Sequence, residues 1–112
     1  MLLKKDESTK KTYGESATVW EYEVPSERMS FALAAIDGRY PASGMAVNLK
    51  CEQMNYVLSG AGVVHSEFGD FPIEEGDVYH VKEHEQYWIE GFHLTIVLVN
   101  APAWKREQYS VC

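Results

Sequence analysis

The sequence predicts an all-β fold, because short runs of β-forming residues alternate with turn residues from Thr18 onward. About nine such runs follow one another at the close spacing typical of sandwiches and barrels. No stretch has the length and periodicity of a long helix, and the chain contains no internal repeat. These observations favour an all-β sandwich or barrel over a layered α/β fold.

Residues 1–14 are polar and lack periodicity, so we expect a flexible or edge-lying arm before a single domain spanning residues 15–112. The first strand of that domain is predicted over residues 19–24, where apolar and acidic residues alternate until a proline ends the run. Residues 29–36 form a longer apolar run that fits either a strand or a short helix and ends at an Asp-Gly pair.

The remaining elements are predicted as short strands with turns between them. They lie at residues 45–49, 54–58, 63–65, 71–73, 78–81, 87–89 and 93–99. A tight glycine turn is expected at residues 60–62, and Gly69-Asp70 is a hairpin signal. The run 93–99 is the strongest strand, and after it Trp104 is expected to pack back on the barrel.

Composition narrows the function classes. A chain of 112 residues, 46% of them hydrophobic, can build one core without disulfides or a structural metal. Its formal charge of −7 argues against nucleic acid as a partner. No apolar stretch approaches the ~20 residues of a membrane span, and the charged start does not look like a secretion signal. With only Cys51 and Cys112, a disulfide framework is excluded, so we expect a cytoplasmic protein without a membrane partner.

Residues 80–84 match the H-x-x-E-H pattern of one class of zinc metalloproteases. That pattern requires a helix, which brings both histidines to one face, whereas strand residues four apart lie ~13 Å from each other. Since the flanking residues are β-formers, we interpret the segment as an exposed strand end. A metal site from neighbouring strands stays open as an alternative. It would use histidines and carboxylates among His65, His80, His84, His93, Glu52 and Glu67.

Two glycine-containing segments carry the most specific signal. Residues 56–62 read Y-V-L-S-G-A-G, a strand entering a glycine turn, and residues 76–79 read G-D-V-Y at the start of another strand. This order of strands and turns, over about residues 30–100, resembles the cupin superfamily. The resemblance implies a single cupin-like jelly-roll β-barrel. It also implies a homodimer, because small cupins often pair.

The resemblance also locates the positions at which cupins bind a metal through histidines and a glutamate. With the two motifs anchored on Gly60 and Gly76, those positions fall on Ala46, Asn48, Gln53 and Tyr87, or on Val47 and Leu49 in place of Ala46 and Asn48 with a shorter spacer. An alanine supplies no ligand, and amides and a protonated phenol bind transition metals weakly. The resemblance therefore implies a degenerate site with no metal and no cofactor.

The predicted function is the binding of a small polar organic molecule in the barrel interior. The predicted ligand-binding residues are Asn48, Gln53, Asn55 and Tyr87, where Asn55 is included because strand alternation places it on the same face as Gln53. Tyr56, Tyr79 and Trp88 are expected to offer stacking surface. Cys51 is interpreted as a small buried residue rather than as a nucleophile.

Two other classes of function stay open. One is a small cupin enzyme, either metal-dependent or resembling an isomerase or epimerase, that acts on a hydroxylated or carbohydrate-like substrate. In the metal-free form, Tyr87 would be the acid or base, if any residue is catalytic. The other is a structural or protein-interaction domain whose interior polar groups satisfy one another.

Overall fold

The computed structural model describes residues 1–112 and confirms the all-β, jelly-roll prediction. Its strands are β1 (Thr9–Tyr13), β2 (Ala17–Tyr22), β3 (Ser30–Tyr40), β4 (Ala46–Asn48), β5 (Glu52–Ser66), β6 (Gly69–Glu74), β7 (Val78–Val81), β8 (Tyr87–Ala101) and β9 (Tyr109–Val111). The helical elements are single 3-10 turns at Lys5–Glu7 and Arg106–Gln108. No helix is long and apolar enough to cross a membrane.

The strands form two antiparallel layers that share the long strands β3, β5 and β8. One layer has the order β1-β2-β3-β8-β5-β7. In the other layer β5 pairs with β6 and β8, the end of β3 pairs with β8, and β4 lies between β8 and β9. Because the three long strands run through both layers, the sheet curls into a barrel with one interior.

The curl is produced by irregularities at matching levels of the three long strands. The β3–β8 register shifts between Ile36 and Gly38, and the β5–β8 register shifts around Ser59. Gly38 and Gly60 have φ angles of 117° and 80°, in the region that favours glycine. Such bulges bend a strand and increase its twist, which lets it pass from one layer to the next.

The glycines expected to end strands instead bend them. Residues 54–58 and 63–65, predicted as separate strands, belong to β5, and the turn expected at residues 60–62 is a bend within that strand. Likewise, the runs 87–89 and 93–99 both belong to β8. The helical alternative for residues 29–36 is wrong, because this segment pairs on both sides, with β2 and β8.

The amino-terminal segment and the carboxy-terminal tail both lie against the barrel. Within residues 1–14, strand β1 pairs with β2 and forms the edge of its layer. After β8, the Trp104 ring lies 5.7 Å from the ring of Tyr109. Strand β9 then adds to β4, with Val47 opposite Ser110.

A buried carboxylate fixes the loop between β7 and β8. Glu85 is 3% exposed and accepts hydrogen bonds from Ser66 Oγ at 2.7 Å, Tyr79 Oη at 2.6 Å and the Lys82 amide at 2.8 Å. Burial, together with the hydrogen bond to Glu85, raises the pKa of Tyr79 to about 12. Three donors compensate the desolvated carboxylate, so the start of β8 is held in place beside β5.

The close approach of β5 to β8 requires glycine at position 62. A Cβ built there would lie 2.5 Å from the Glu90 carbonyl oxygen, so the backbone of β5 or β8 would have to move to accommodate it. We therefore expect Gly62→Ala to lower the free energy of unfolding by about 2–3 kcal/mol through overpacking. Ser59→Ala, at an exposed position of the same strand, should change it by less than about 0.5 kcal/mol. Urea denaturation measures both variants, and equal losses would contradict the steric explanation.

Candidate functional site

The barrel encloses a cavity of about 560 Å³. This volume lies within the range of small-molecule sites, roughly 300–1,000 Å³. Much of its apolar wall comes from inward-facing residues of β2, β3 and β8, among them Ala17, Val19, Ala34, Ile36, Ile89, Ile96 and Leu98. The cavity is therefore bounded by the rigid part of the sheet rather than by loops alone.

Uncharged polar side chains form the deep end of the cavity. Gln53, Tyr87 and Asn100 all line it and are 7%, 2% and 5% exposed. Tyr40 and Tyr109 also line it, and their hydroxyl oxygens lie 2.6 Å apart in a mutual hydrogen bond. The deep end thus presents phenol and amide groups and no formal charge.

The buried phenols remain protonated at neutral pH. Burial raises the pKa of Tyr87, and the neighbouring phenol of Tyr109 raises it further, while the Gln53 amide beside it acts in the opposite direction. Burial also raises the pKa of Tyr40, and the neighbouring phenols of Tyr87 and Tyr109 raise it further. Neutral phenols can donate a hydrogen bond to an oxygen atom in the cavity, whereas none of them is a competent base.

An amide network behind the cavity holds the polar side chains in position. Gln53 Nε2 donates to Asn55 Oδ1 at 2.9 Å, and Asn100 Nδ2 donates to Gln53 Oε1 at 3.1 Å. Asn100 Nδ2 also lies 3.5 Å from Cys51 Sγ, which donates to Gln108 Oε1 at 3.3 Å. Because these hydrogen bonds hold each side chain in place, the amides of Gln53 and Asn100 have a defined orientation at the cavity.

The four predicted ligand-binding residues are all buried, but they divide into two pairs. Gln53 and Tyr87 line the cavity, whereas Asn48 and Asn55 do not. Asn55 Nδ2 donates to the Tyr79 carbonyl oxygen at 3.1 Å, and Asn48 Oδ1 accepts from Gln108 Nε2 at 3.1 Å. Asn48 Nδ2 is buried without a hydrogen-bond partner. The two asparagines therefore bind neighbouring protein groups and do not contact the cavity.

The three aromatic residues expected to offer stacking surface lie elsewhere. Trp88 is held between His65, whose ring stacks at 3.8 Å, and Arg39, whose guanidinium lies 4.0 Å from the ring centre. Tyr79 is engaged with Glu85, and Tyr56 is exposed on the outside of β5. None of the three lines the cavity. Tyr56 and Trp88 lie on the outward side of their strands, whereas Tyr79 lies on the same side of β7 as buried Val81 and packs against the core.

The residues at the positions where the resemblance places metal ligands do not fit a transition metal. Ala46 pairs with Tyr87 across β4 and β8, and Gln53 lies beside Tyr87, so three of the four positions come together. However, alanine supplies no ligand, the phenol is held protonated, and both ends of the Gln53 amide already bind protein groups. No group of three or more His, Cys, Asp or Glu residues is placed to hold a metal ion.

The histidines are spread over the outside of the barrel. His65 lies 2.8 Å from Asp70, and His80 Nε2 lies 2.7 Å from Glu52 Oε1. His84 and His93 have positive φ angles of 69° and 50° in the loop before β8 and at its bend. The histidines therefore do not converge on a metal site, which the sequence had left open as an alternative.

Among the uncharged polar side chains at the deep end, sequence analysis missed Tyr40, Asn100 and Tyr109. Asn100 could have been found, because it follows the inward alternation of Leu94, Ile96 and Leu98 along β8. Tyr109 could not, because it opens a three-residue strand that exists only through its pairing with β4.

Three charged side chains also line the cavity, and each of them is partly or largely exposed. Among the lining residues these are Glu21, Glu23 and Arg106. Glu21 pairs with Lys11 at 3.1 Å, while Glu23 and Arg106 are exposed. Trp104 and Phe31 also line the cavity, so part of its wall is aromatic.

Comparison with solved structures supports the fold assignment. No family model and no curated protein sequence matches the chain. Pac13, described as a nucleoside dehydratase, superimposes with a TM-score of 0.90 at 17% identity and covers 100% of this chain and 90% of its own. Structures of Streptomyces PAC13 with uridine match with the same TM-score.

Two further proteins share the architecture at lower similarity. KdgF from Halomonas sp. has a TM-score of 0.76 at 15% identity, covering 96% of this chain and 97% of its own. Ectoine synthase from P. lautus has a TM-score of 0.67 at 16% identity, covering 91% and 78%. At these identities the likeness establishes the fold, so the chain has a cupin-like β-barrel fold.

The buried phenol of Tyr87 makes stability fall at high pH. Its pKa is raised above the ordinary value of 10.0, so above pH 10 the unfolded chain binds fewer protons than the folded one. The contribution of Tyr87 to the free energy of unfolding should therefore be fully present below pH 10. Above pH 10 the free energy of unfolding should decrease by about 1.4 kcal/mol per pH unit for this group. Urea denaturation between about pH 8 and about pH 11 measures the slope, and Tyr87→Phe should reduce it. An unchanged slope in the variant would contradict a buried neutral phenol.

Proposed function

We propose that the barrel binds a small, uncharged, polar organic molecule in its cavity. The observation that carries this proposal is the combination of an apolar wall with a deep end of hydroxyl and amide groups in about 560 Å³. Sites for small molecules have this form, in which apolar surface supplies most of the affinity and a few polar groups fix the orientation. A charged ligand would lose its hydration without gaining an opposite charge at the deep end.

The donors and acceptors at the deep end favour a ligand with both kinds of polar group. In the Tyr40–Tyr109 pair, one hydroxyl hydrogen is used in the mutual bond and the other remains for a ligand oxygen. The Asn100 side chain donates through Nδ2, which leaves its Oδ1 to accept a hydrogen bond. A hydroxylated ring that also carries a carbonyl group would satisfy both.

Pac13 supports this size and class of ligand. Its fold covers the whole of this chain, and its structures include some with uridine. Uridine is a hydroxylated, ring-containing molecule of the kind proposed here. The two chains share only 17% of their residues, so uridine serves here as a first probe.

Thermal shift with uridine, other nucleosides and neutral monosaccharides tests the proposal. A ligand at 100 times its dissociation constant should stabilise the protein by about 2.7 kcal/mol. Tyr87→Phe removes one hydroxyl from the deep end and should weaken binding about 3- to 10-fold, the value of one hydrogen bond. Tyr56→Phe, an exposed phenol on the outside of β5, is the matched control and should bind normally.

Isothermal titration then distinguishes the neutral from the charged ligand class. The proposal requires that affinity for neutral ligands changes little with salt, because a ligand without charge forms no ion pair for salt to screen. It is wrong if Tyr87→Phe and Tyr56→Phe bind alike, or if only anionic members of the panel stabilise the protein.

A small enzyme is the second candidate, and the cluster of three phenols is the observation that favours it. Tyr87 lies near Tyr109, whose hydroxyl bonds that of Tyr40, so a proton donated by one phenol can be replaced from the next. Since burial holds these groups protonated, Tyr87 would act as the acid toward a substrate oxygen in an isomerase- or epimerase-like reaction. No side chain at the deep end is an evident base, which is why binding is the first choice.

Proton exchange tests the enzymatic alternative. Neutral aldoses and ketoses are incubated with the protein in D₂O, and NMR follows deuterium uptake at the carbon beside the carbonyl group. An enzyme should show exchange that falls by about 100-fold or more in Tyr87→Phe, since general acid catalysis contributes that much. Exchange absent from the wild type, or equal in both proteins, would rule this reaction out for these sugars.

A further inference from the structure

One carboxylate faces the cavity from a regular strand position. Ala17, Val19 and Glu21 alternate along the inward side of β2, and all three line the cavity. The Glu21 side chain is 26% exposed, whereas Glu23 and Arg106, the other charged residues at the cavity, are exposed residues. Glu21 is therefore the charged group that the sheet itself holds at the cavity wall.

Small side chains lie next to this carboxylate. On β3, Ala32 is the cross-strand neighbour of Glu21, and Ala34 is the neighbour of Val19. Both alanines line the cavity, where each adds only a methyl group to the wall. The wall beside Glu21 is therefore low, and a ligand in the cavity can approach the carboxylate across β3.

The ion pair with Lys11 does not use the full capacity of the carboxylate. Lys11 Nζ lies 3.1 Å from Glu21 Oε1, but the lysine side chain is 48% exposed and does not line the cavity. Ion pairs this exposed add little to stability, and β1 is already paired with β2 along its whole length. A carboxylate has about four acceptor positions, so one contact leaves most of them for a ligand.

A phenol beside Glu21 supplies the complementary donor. Tyr13 on β1 also lines the cavity. Burial raises the pKa of the Tyr13 phenol, and the nearby Glu21 carboxylate raises it further, so the hydroxyl stays protonated at neutral pH. A ligand hydroxyl both donates and accepts, and it can therefore bond to a carboxylate and a phenol together.

Glu21 and the deep end of the cavity belong to one inner surface. Glu21 lies opposite Ala32, which lies opposite Leu98, and Asn100 is two residues farther along β8. Two strand spacings and two residues of rise separate the Cα atoms of Glu21 and Asn100 by ~12 Å. Because both side chains project into the cavity, a single substituted ring fits between the two polar groups.

We propose that Glu21 makes the cavity specific for ligands with two adjacent hydroxyl groups. The inference rests on the proposed function, because it concerns a ligand in the same cavity. The carboxylate accepts a hydrogen bond from each hydroxyl, as acidic side chains do with ribose hydroxyls in dinucleotide-binding sites. The other side of the ring then meets the amide of Asn100 and the phenols. The ligand class is a neutral ring with a vicinal diol, as in ribonucleosides and simple sugars.

Isothermal titration of paired ligands tests this specificity. Uridine and 2′,3′-dideoxyuridine differ only in two adjacent hydroxyl groups, and the wild type should bind uridine about 10- to 100-fold more tightly, the value of hydrogen bonds to a charged acceptor. Glu21→Gln keeps the shape of the side chain and removes its charge, so the two ligands should differ by about 3-fold or less. If a neutral monosaccharide binds in place of uridine, that sugar and its dideoxy analogue form the pair.

Two control variants separate a ligand contact from an effect on the strands. Lys11→Met removes the ion pair but keeps the carboxylate, and it should retain the preference for the diol. Glu52→Gln changes an exposed carboxylate on the outward side of β5 and should bind both ligands as the wild type does.

The outcomes distinguish the role of Glu21 from the function of the cavity. An equal preference for the diol in the wild type and in Glu21→Gln overturns the proposal, and the cavity remains a binding site if Tyr87→Phe still weakens uridine. A wild type without preference for the diol, or a preference that Lys11→Met also abolishes, overturns it as well. If no nucleoside or neutral sugar binds the wild type, the proposed function fails and this inference fails with it.

Discussion

The alternation of side chains along β5 is the constraint on which both surfaces of this barrel depend. From Glu52 to Leu58, exposed and buried residues alternate without interruption, so Gln53 points inward where Met54 points outward. The register with β8 fixes this phase, since a slip of one residue would exchange the two sides of the strand. The buried polar groups beside the cavity and the exposed apolar side chains of Met54, Tyr56 and Leu58 are therefore two consequences of one register. Substitutions that shift β5 should disturb both.

The buried amides of the interior bind one another in place of a metal ion or charged group. A metal would satisfy converging donors from one centre, whereas amides must satisfy each other, and here they do so in a line from Asn55 through Gln53 and Asn100 to Cys51. Unpaired buried amides cost about 1–3 kcal/mol each, so the line is a requirement of the fold as well as a support for the site. This dual role explains why the network alone does not establish ligand binding. The volume beside it supplies the independent argument.

Much of the fold could be predicted from the sequence, because local alternation and turn residues define strands without tertiary information. The limits of β5 and β8 could not, since Gly60 and Gly91 look like turn residues but occupy bends that only the neighbouring strand explains. At the site, the inward position of Gln53 followed from its motif and alternation. Tyr40 and Tyr109 did not, because their hydroxyls are 69 residues apart in sequence and meet only after β9 has paired with β4. Long-range contacts of this kind leave no local pattern.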